Sequence, residues 1–113
     1  QFLLRLGMTL FGRFMVQRYP FRPLFLLDGA RRIREAVSIP VVYIGGVLSL
    51  ADLEKALAEG FEFVEVGRAI IRDPDFVKHL RSGEVTVSDC DQGNRCIASM
   101  DAGGVYCVTY GKA

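Results

Sequence analysis

Hydrophobic and polar positions change period several times along the chain, and each change predicts an element. From Leu24 to Val37 apolar residues return at helical spacing, at Leu24, Leu27, Ala30, Ile33 and Val37, while Arg31, Arg32, Arg34 and Glu35 fall on the opposite side. This is the pattern of a half-buried helix with a solvated cationic face. Pro20-Phe21-Arg22-Pro23 breaks the chain before it, and Ser38-Ile39-Pro40 ends it. The period then shortens. Val41-Val42-Tyr43-Ile44 and Phe61-Glu62-Phe63-Val64-Glu65-Val66 are β-branched and aromatic runs, the first stopping at Gly45-Gly46 and the second at Gly67. Between them Ser49-Leu50-Ala51-Asp52 has the form of a capping box. Its Ser49 hydroxyl is set to accept from the Asp52 N–H, and the Asp52 carboxylate from the Ser49 N–H. Leu50, Leu53 and Leu57 recur behind it, and Gly60 supplies a left-handed stop. A helical crossover of this length makes the two strands parallel neighbours. Val41–Ile44 is apolar on both faces, as a strand inside a parallel sheet should be.

Beyond Gly67, the run Ala69-Ile70-Ile71-Arg72 predicts a short helical turn. Asp73-Pro74-Asp75 then reads as an N-cap with proline at the first helical position. Phe76, Val77 and Leu80 give the last helix a buried stripe, and Gly83 closes it. His79, the single histidine, falls in mid-helix beside Lys78 and reads as a surface residue.

The glycines stand where the chemistry of such a unit is found. At the carboxyl end of a parallel strand a residue without a Cβ lets backbone N–H groups approach an anion, and a following helix N-terminus adds partial positive charge. Two such ends lie side by side. Arg68 directly follows the second, with a planar fork of donors suited to phosphate oxygens. The plainer alternative is that the glycines only permit tight turns and Arg68 is a solvated charge.

GGVLSLADLEKALAEGFEFVEVGRAIIRDPDFVKHL, continued by CDQGNRCIASMDAGGVYC, resembles the C-terminal part of the Old Yellow Enzyme family, the NADH:flavin oxidoreductases. The resemblance implies an α/β fold, the C-terminal fragment of a (βα)8 TIM barrel. It would contain about two βα units, a preceding helix and a tail. It implies one partial FMN-binding domain over 1–113, with a loop or insert at 1–23, helix 6 to helix 8 at 24–83 and a tail at 84–113. The FMN phosphate would be held by Gly45, Gly46, Gly67 and Arg68, with Val47 and Ala69 as further backbone contributors. NAD(P)H would be the reductant and a small molecule, an activated alkene, the substrate. Catalytic residues of the family lie on earlier strands, so none is carried onto this chain. Tyr106 and Tyr110 are read as packing. Gln1–Arg22, basic and amphipathic but interrupted by Gly7 and Gly12, is read as a helical insert on the barrel mouth rather than a transit peptide or interfacial helix.

Length, charge and cysteines bound these expectations. The chain has 113 residues, whereas a complete barrel needs about 250, so a fragment, a truncation or part of an assembly is expected. Association with itself or with the rest of a barrel would follow. A net charge of +1 argues against a nucleic-acid partner, and no apolar run approaches the roughly 20 residues of a membrane span. A cytoplasmic protein is expected. Cys90, Cys96 and Cys107 are too few for an iron–sulfur cluster, because Gly93 stands where cluster-bearing relatives have a fourth cysteine. Zinc with an outside ligand, or one disulfide with a thiol left over, stays open beside reduced thiols, which are the default; no metal is assigned. A functional reading from a different class also stands: a non-catalytic βα module that binds a phosphate ester or serves assembly.

Overall fold

The computed structural model describes Gly7, residues 20–100 and residues 103–111. Most of the insert expected over Gln1–Arg22 lies outside the described residues. The elements are α1 (Leu27–Ala36), β1 (Val42–Ile44), α2 (Leu50–Ala58), β2 (Phe63–Glu65), α3 (Arg68–Arg72), α4 (Phe76–Ser82) and α5 (Arg95–Ala98). The fold class is α/β, and β1 and β2 are parallel, with Val42 opposite Phe63, Tyr43 opposite Val64 and Ile44 opposite Glu65. Among the described residues, no helix is long and apolar enough to cross a membrane.

One face of this two-stranded sheet is covered and the other is not. Tyr43 is wholly buried and packs its ring on Phe61 at 5.2 Å between centroids. Leu24, Leu27, Val47 and Ala56 complete that core. A second cluster, Ala69, Phe76 and Leu80, joins it through Leu53 and Val66, which touch both. On the opposite face Val42, Ile44 and Phe63 remain 52%, 51% and 60% exposed. The strands are apolar on both sides, as their sequence predicts, but the described residues bury only one.

Helix α2 starts as its sequence directs. The Ser49 hydroxyl accepts from Asp52 N at 3.1 Å, and Asp52 Oδ2 accepts from both Ser49 N (2.9 Å) and Leu48 N (3.0 Å). Gly60 leaves the helix at φ +84°. The buried stripe differs from the expected leucines: Leu50 and Leu57 are exposed, and the helix rests on Ala56 and Leu53. A methyl side chain at the contact lets the helix backbone lie close to the strands, and the flanking leucines are turned outward.

The expected faces of the first helix are also corrected. It begins at Leu27 because Leu24 adopts φ +53°, and Ile33 and Val37 are exposed. Instead, arginines from the face expected to be solvated dock it. Arg31 donates from Nε and Nη2 to the Glu59 carboxylate at 2.8 and 2.7 Å, and Arg34 Nε donates to Gly60 O at 2.7 Å. Paired hydrogen bonds from a planar fork to a carboxylate fix geometry that a few aliphatic contacts would leave loose.

At α4 the N-cap is Asp75, without a side-chain cap bond, and Pro74 lies in the turn before the helix. Asp73 takes the capping work instead, accepting from Asp75 N at 3.0 Å. Phe76 and Leu80 are buried while Val77 faces outward, and Gly83 closes the helix at φ +78°. His79 is not a free surface residue: its Nδ1 lies 2.7 Å from Asp73 Oδ2, with Glu84 at 3.9 Å from Nε2. The tail returns to the barrel units through backbone bonds, Leu50 N to Thr86 O at 2.9 Å and Ser88 N to Leu48 O at 2.7 Å.

Two outcomes are expected. Asp52→Ala removes the acceptor of two backbone N–H groups, so thermal unfolding of the full chain should show a loss of about 1–2 kcal/mol. An unchanged midpoint would mean that the box contributes nothing. The hydrogen bond that His79 Nδ1 donates to the Asp73 carboxylate raises the pKa of His79 and, reciprocally, lowers that of Asp73. The histidine contribution is full below its unfolded pKa of about 6.5 and is lost as pH rises through the raised folded value. The aspartate contribution is present above about pH 3.9 and is lost as pH falls through the lowered one. His79→Gln should therefore destabilise the chain more at about pH 5 than at about pH 9, in paired denaturation curves. Equal destabilisation at both values would rule out the ion pair as the cause.

Candidate functional site at the ends of the parallel strands

The register sets the carboxyl ends of the strands next to each other. Ile44 pairs with Glu65, so Gly45-Gly46 leaves one strand beside the point where Val66-Gly67 leaves the other. The glycines there are needed for different reasons. Gly46 has φ +74°, and a Cβ on it would lie 2.8 Å from Leu24 N and 2.9 Å from Arg22 O. Its carbonyl accepts from Leu24 N at 3.2 Å, so the chain before α1 packs directly onto this backbone. Gly45 has φ +129°, and its carbonyl accepts from the buried Tyr43 hydroxyl at 2.7 Å. Burial pushes the Tyr43 phenol above its ordinary pKa, which keeps it a neutral donor to that carbonyl.

Gly67 is different. Its φ is −99°, and among the described residues nothing lies within 4 Å of the position a Cβ would take. No neighbouring group among them requires glycine there. Open space in front of a residue that begins α3 is what close approach by an outside group needs. The amides of Arg68 and Ala69 come before the first bonds of that helix, which Ile70 N and Ile71 N donate to Gly67 O. At five residues α3 brings little macrodipole; what it supplies is these N–H groups.

All six residues singled out from the sequence meet at this edge. Val47 and Ala69 point their side chains into the core, so their contribution is limited to backbone. Arg68 is half-buried, and its Nη1 donates to Asn94 Oδ1. Among the described residues no carboxylate pairs with Arg68, whereas Arg72 is 2.6 Å from Asp89 and Arg95 pairs with Asp91. Arg68 keeps an uncompensated charge beside the open glycine.

Sequence reasoning missed the far wall. A groove of about 540 Å³ runs from Arg68 between the Pro20–Phe25 segment and the tail, lined in part by Phe21, Arg22, Phe25, Gln92 and Asn94. Phe21 and Phe25 meet edge to face at 6.5 Å. Gln92 and Asn94 adopt φ +56° and +57°, and Gln92 Nε2 is buried without a hydrogen-bond partner among the described residues. An Asn next to Gly93 offers a faint signal of left-handed backbone, because its short side chain tolerates it; Gln92 offers none. Arg72, which stacks over the Tyr110 ring at 3.5 Å and fixes the tail, was also unmarked beyond a place in a helical turn. The Tyr110 expectation of a packing role agrees with that contact.

Comparison with known proteins gives one family and several partial relatives. The family model described as histidine biosynthesis protein matches residues 26–110. The 4,4'-dithiodibutanoate disulfide reductase of Rhodococcus erythropolis is 35% identical over 102 residues, which is 90% of this chain and 25% of that protein. A phosphoribosyl imidazole-4-carboxamide isomerase of Chloroflexus aurantiacus is 40% identical over 75 residues, 65% of this chain and 31% of its own. Its counterpart in Xanthobacter autotrophicus is 51% identical over 47 residues, 42% of this chain and 19% of its own. The chain thus spans between about a fifth and a third of these relatives. No solved structure matches it. The resemblance drawn from the sequence holds at the level of the barrel fold and of relatives that are enzymes, while the Old Yellow Enzyme family is not specifically supported; by the family match over residues 26–110 the chain belongs to the histidine biosynthesis protein family of TIM-barrel proteins.

Proposed function

We propose that the strand ends around Gly45–Val47 and Gly67–Ala69, with Arg68, bind the phosphate of FMN, and that the chain is the phosphate-binding part of an FMN-dependent NAD(P)H oxidoreductase of the Old Yellow Enzyme kind. The observation that carries the reading is the open front of Gly67 beside an arginine with no carboxylate partner among the described residues. Backbone N–H groups and a guanidinium around an open space suit a phosphate dianion. The groove beyond Arg68 offers two phenyl rings and Arg22 for the rest of such a ligand. Likeness to a reductase over nine-tenths of the chain favours redox chemistry, and with it a flavin in this reading.

In this reading the chain's own residues bind and orient. Gly67 keeps a Cβ out of the phosphate's way, Gly46 lets the Arg22–Leu24 chain pack onto the strand end, the amides of Arg68 and Ala69 donate, and the Arg68 fork offsets the phosphate's charge. FMN, when bound, supplies hydride acceptance from NAD(P)H and its delivery to the substrate. The substrate is a small molecule, an activated alkene or, as the reductase's name suggests, an organic disulfide. A cytoplasmic setting, where NAD(P)H is available, belongs to the same reading.

A second reading keeps the phosphate site and changes its ligand. The family match and the 51% identity with an isomerase favour a phosphoribosyl compound, bound through the same glycines without flavin. The absorption spectrum of the complete protein separates the two: bound flavin makes it yellow, and a colourless protein that binds a phosphoribosyl ligand would overturn the FMN reading.

Arg68→Ala in the complete protein removes a hydrogen bond to a charged group, worth about 1.5–3 kcal/mol. FMN should therefore bind roughly ten- to a hundredfold more weakly, read by fluorescence titration. Unchanged affinity would remove Arg68 from the site. The bare face of Val42, Ile44 and Phe63 also implies association, with a second copy or with the rest of a barrel. Light scattering on the 113-residue chain should report a species larger than a monomer. A compact monomer at micromolar concentration would contradict this.

A further inference from the structure

Cys90, Cys96 and Cys107 are free thiols of intermediate exposure, and all three line one small cavity of about 20 Å³. They arrive there from three separate stretches: the segment after Asp89, helix α5, and the loop that follows Gly103-Gly104. A single side chain ties the three together. Arg95, next to Cys96, donates from Nη2 to Thr109 Oγ1 at 2.8 Å, two residues beyond Cys107, and to the carboxylate of Asp91, next to Cys90.

The cavity has room for about one water molecule, too little for a cofactor. Among the described residues no group of three or more His, Cys, Asp or Glu side chains is arranged to hold a metal ion. What remains to thiols that line one cavity is chemistry between pairs of sulfurs. Of the three arginines that line it, Arg72 and Arg95 pair with Asp89 and Asp91, and Arg68 has no carboxylate partner among the described residues, which leaves the wall a net positive charge. Such a wall attracts disulfides that carry carboxylates. The stretches also differ in freedom. The Cys90 N–H bonds to Ser88 Oγ, and Ser88 is itself tied by its N–H to Leu48 O. Cys107 lies between Gly103 and Gly104, at φ +128° and +115°, and Gly111 at +85°. Glycine-flanked backbone adjusts at small cost.

We propose that this cluster is a thiol–disulfide exchange site for small anionic disulfides, with Cys107 as the attacking thiol and Cys96 as the resolving one. The Cys107 thiolate attacks one sulfur of the reagent, forming a mixed disulfide and releasing one reagent thiolate. The Cys96 thiolate then attacks the Cys107 sulfur, forming the Cys96–Cys107 bond and releasing the second. The reagent gains two electrons, the protein thiols lose the same two, and their protons pass to solvent or to the released thiolates. Cys90, held with the fixed segment, stays reduced. This assignment shares Arg68 with the phosphate reading but does not require a bound phosphate.

The reduced full chain, exposed to glutathione disulfide, alkylated and digested with trypsin, tests it. Cleavage after Arg81, Arg95 and Lys112 places Cys90 in one peptide and both Cys96 and Cys107 in another, Cys96–Lys112. The expected result is a Cys96–Lys112 peptide lighter by two hydrogens and unalkylated, with the Cys90 peptide alkylated. Cys96→Ser should stop the reaction at a glutathione adduct on Cys107. In denaturant the preference should vanish and all pairings arise. Three alkylated thiols after exposure, a bridge that includes Cys90, or the same pattern with and without denaturant would each overturn the proposal.

Discussion

The parallel register of β1 and β2 is the constraint on which the rest depends. Because Ile44 stands opposite Glu65, the two chain segments that leave the strands do so side by side, and everything proposed to touch an anion is delivered to one edge. That register is supported from both sides. The capping box fixes where α2 begins after Gly45-Gly46, and the backbone bonds from Leu50 to Thr86 and from Ser88 to Leu48 clamp the same loop to the tail. Inside, the Tyr43 hydroxyl reaches forward to the Gly45 carbonyl, so the best-buried side chain of the sheet also aligns the first glycine of the site.

Arginine does much of the work that aliphatic packing does in a fuller core. Arg31 and Arg34 attach α1 to the end of α2, Arg72 attaches the tail through Asp89 and Tyr110, and Arg95 gathers the cysteine-bearing stretches. These contacts are partly exposed, so each contributes modestly and weakens with salt. They are nonetheless directional, which suits them to setting the angles of short elements. The uncovered sheet face marks the other limit of this core: its aliphatic side chains have partners on one side only.

What could be read beforehand follows from how local each cause is. The capping box, the Gly60 and Gly83 stops and the parallel crossover depend on neighbours within one turn or on chain connectivity, and all were legible. The placement of Gly45 to Ala69 at the strand ends was legible because each β-branched run stops at glycine. The faces of helices were read less well. A spacing of three and four names two adjacent stripes, and it was Ala56 rather than Leu57, and Arg31 rather than Ile33, that the tertiary neighbours selected. Asp73 was placed as an N-cap, but its side chain was taken up by His79 and the Asp75 amide. The roles of Gln92, Asn94 and Arg95 came from a tail with little periodicity, where long-range hydrogen bonds decide positions.

The contrast between Gly46 and Gly67 reaches beyond this one molecule. Gly46 is held by the protein itself, since its backbone angle and the Arg22–Leu24 chain leave no room for a side chain whatever the protein binds. Gly67 meets no neighbour among the described residues that would exclude a side chain. Under neutral drift the two would part company. A lineage that stopped binding its ligand would keep the first glycine and let the second wander toward alanine or serine, so the residue at that one position would record whether the site is still in use.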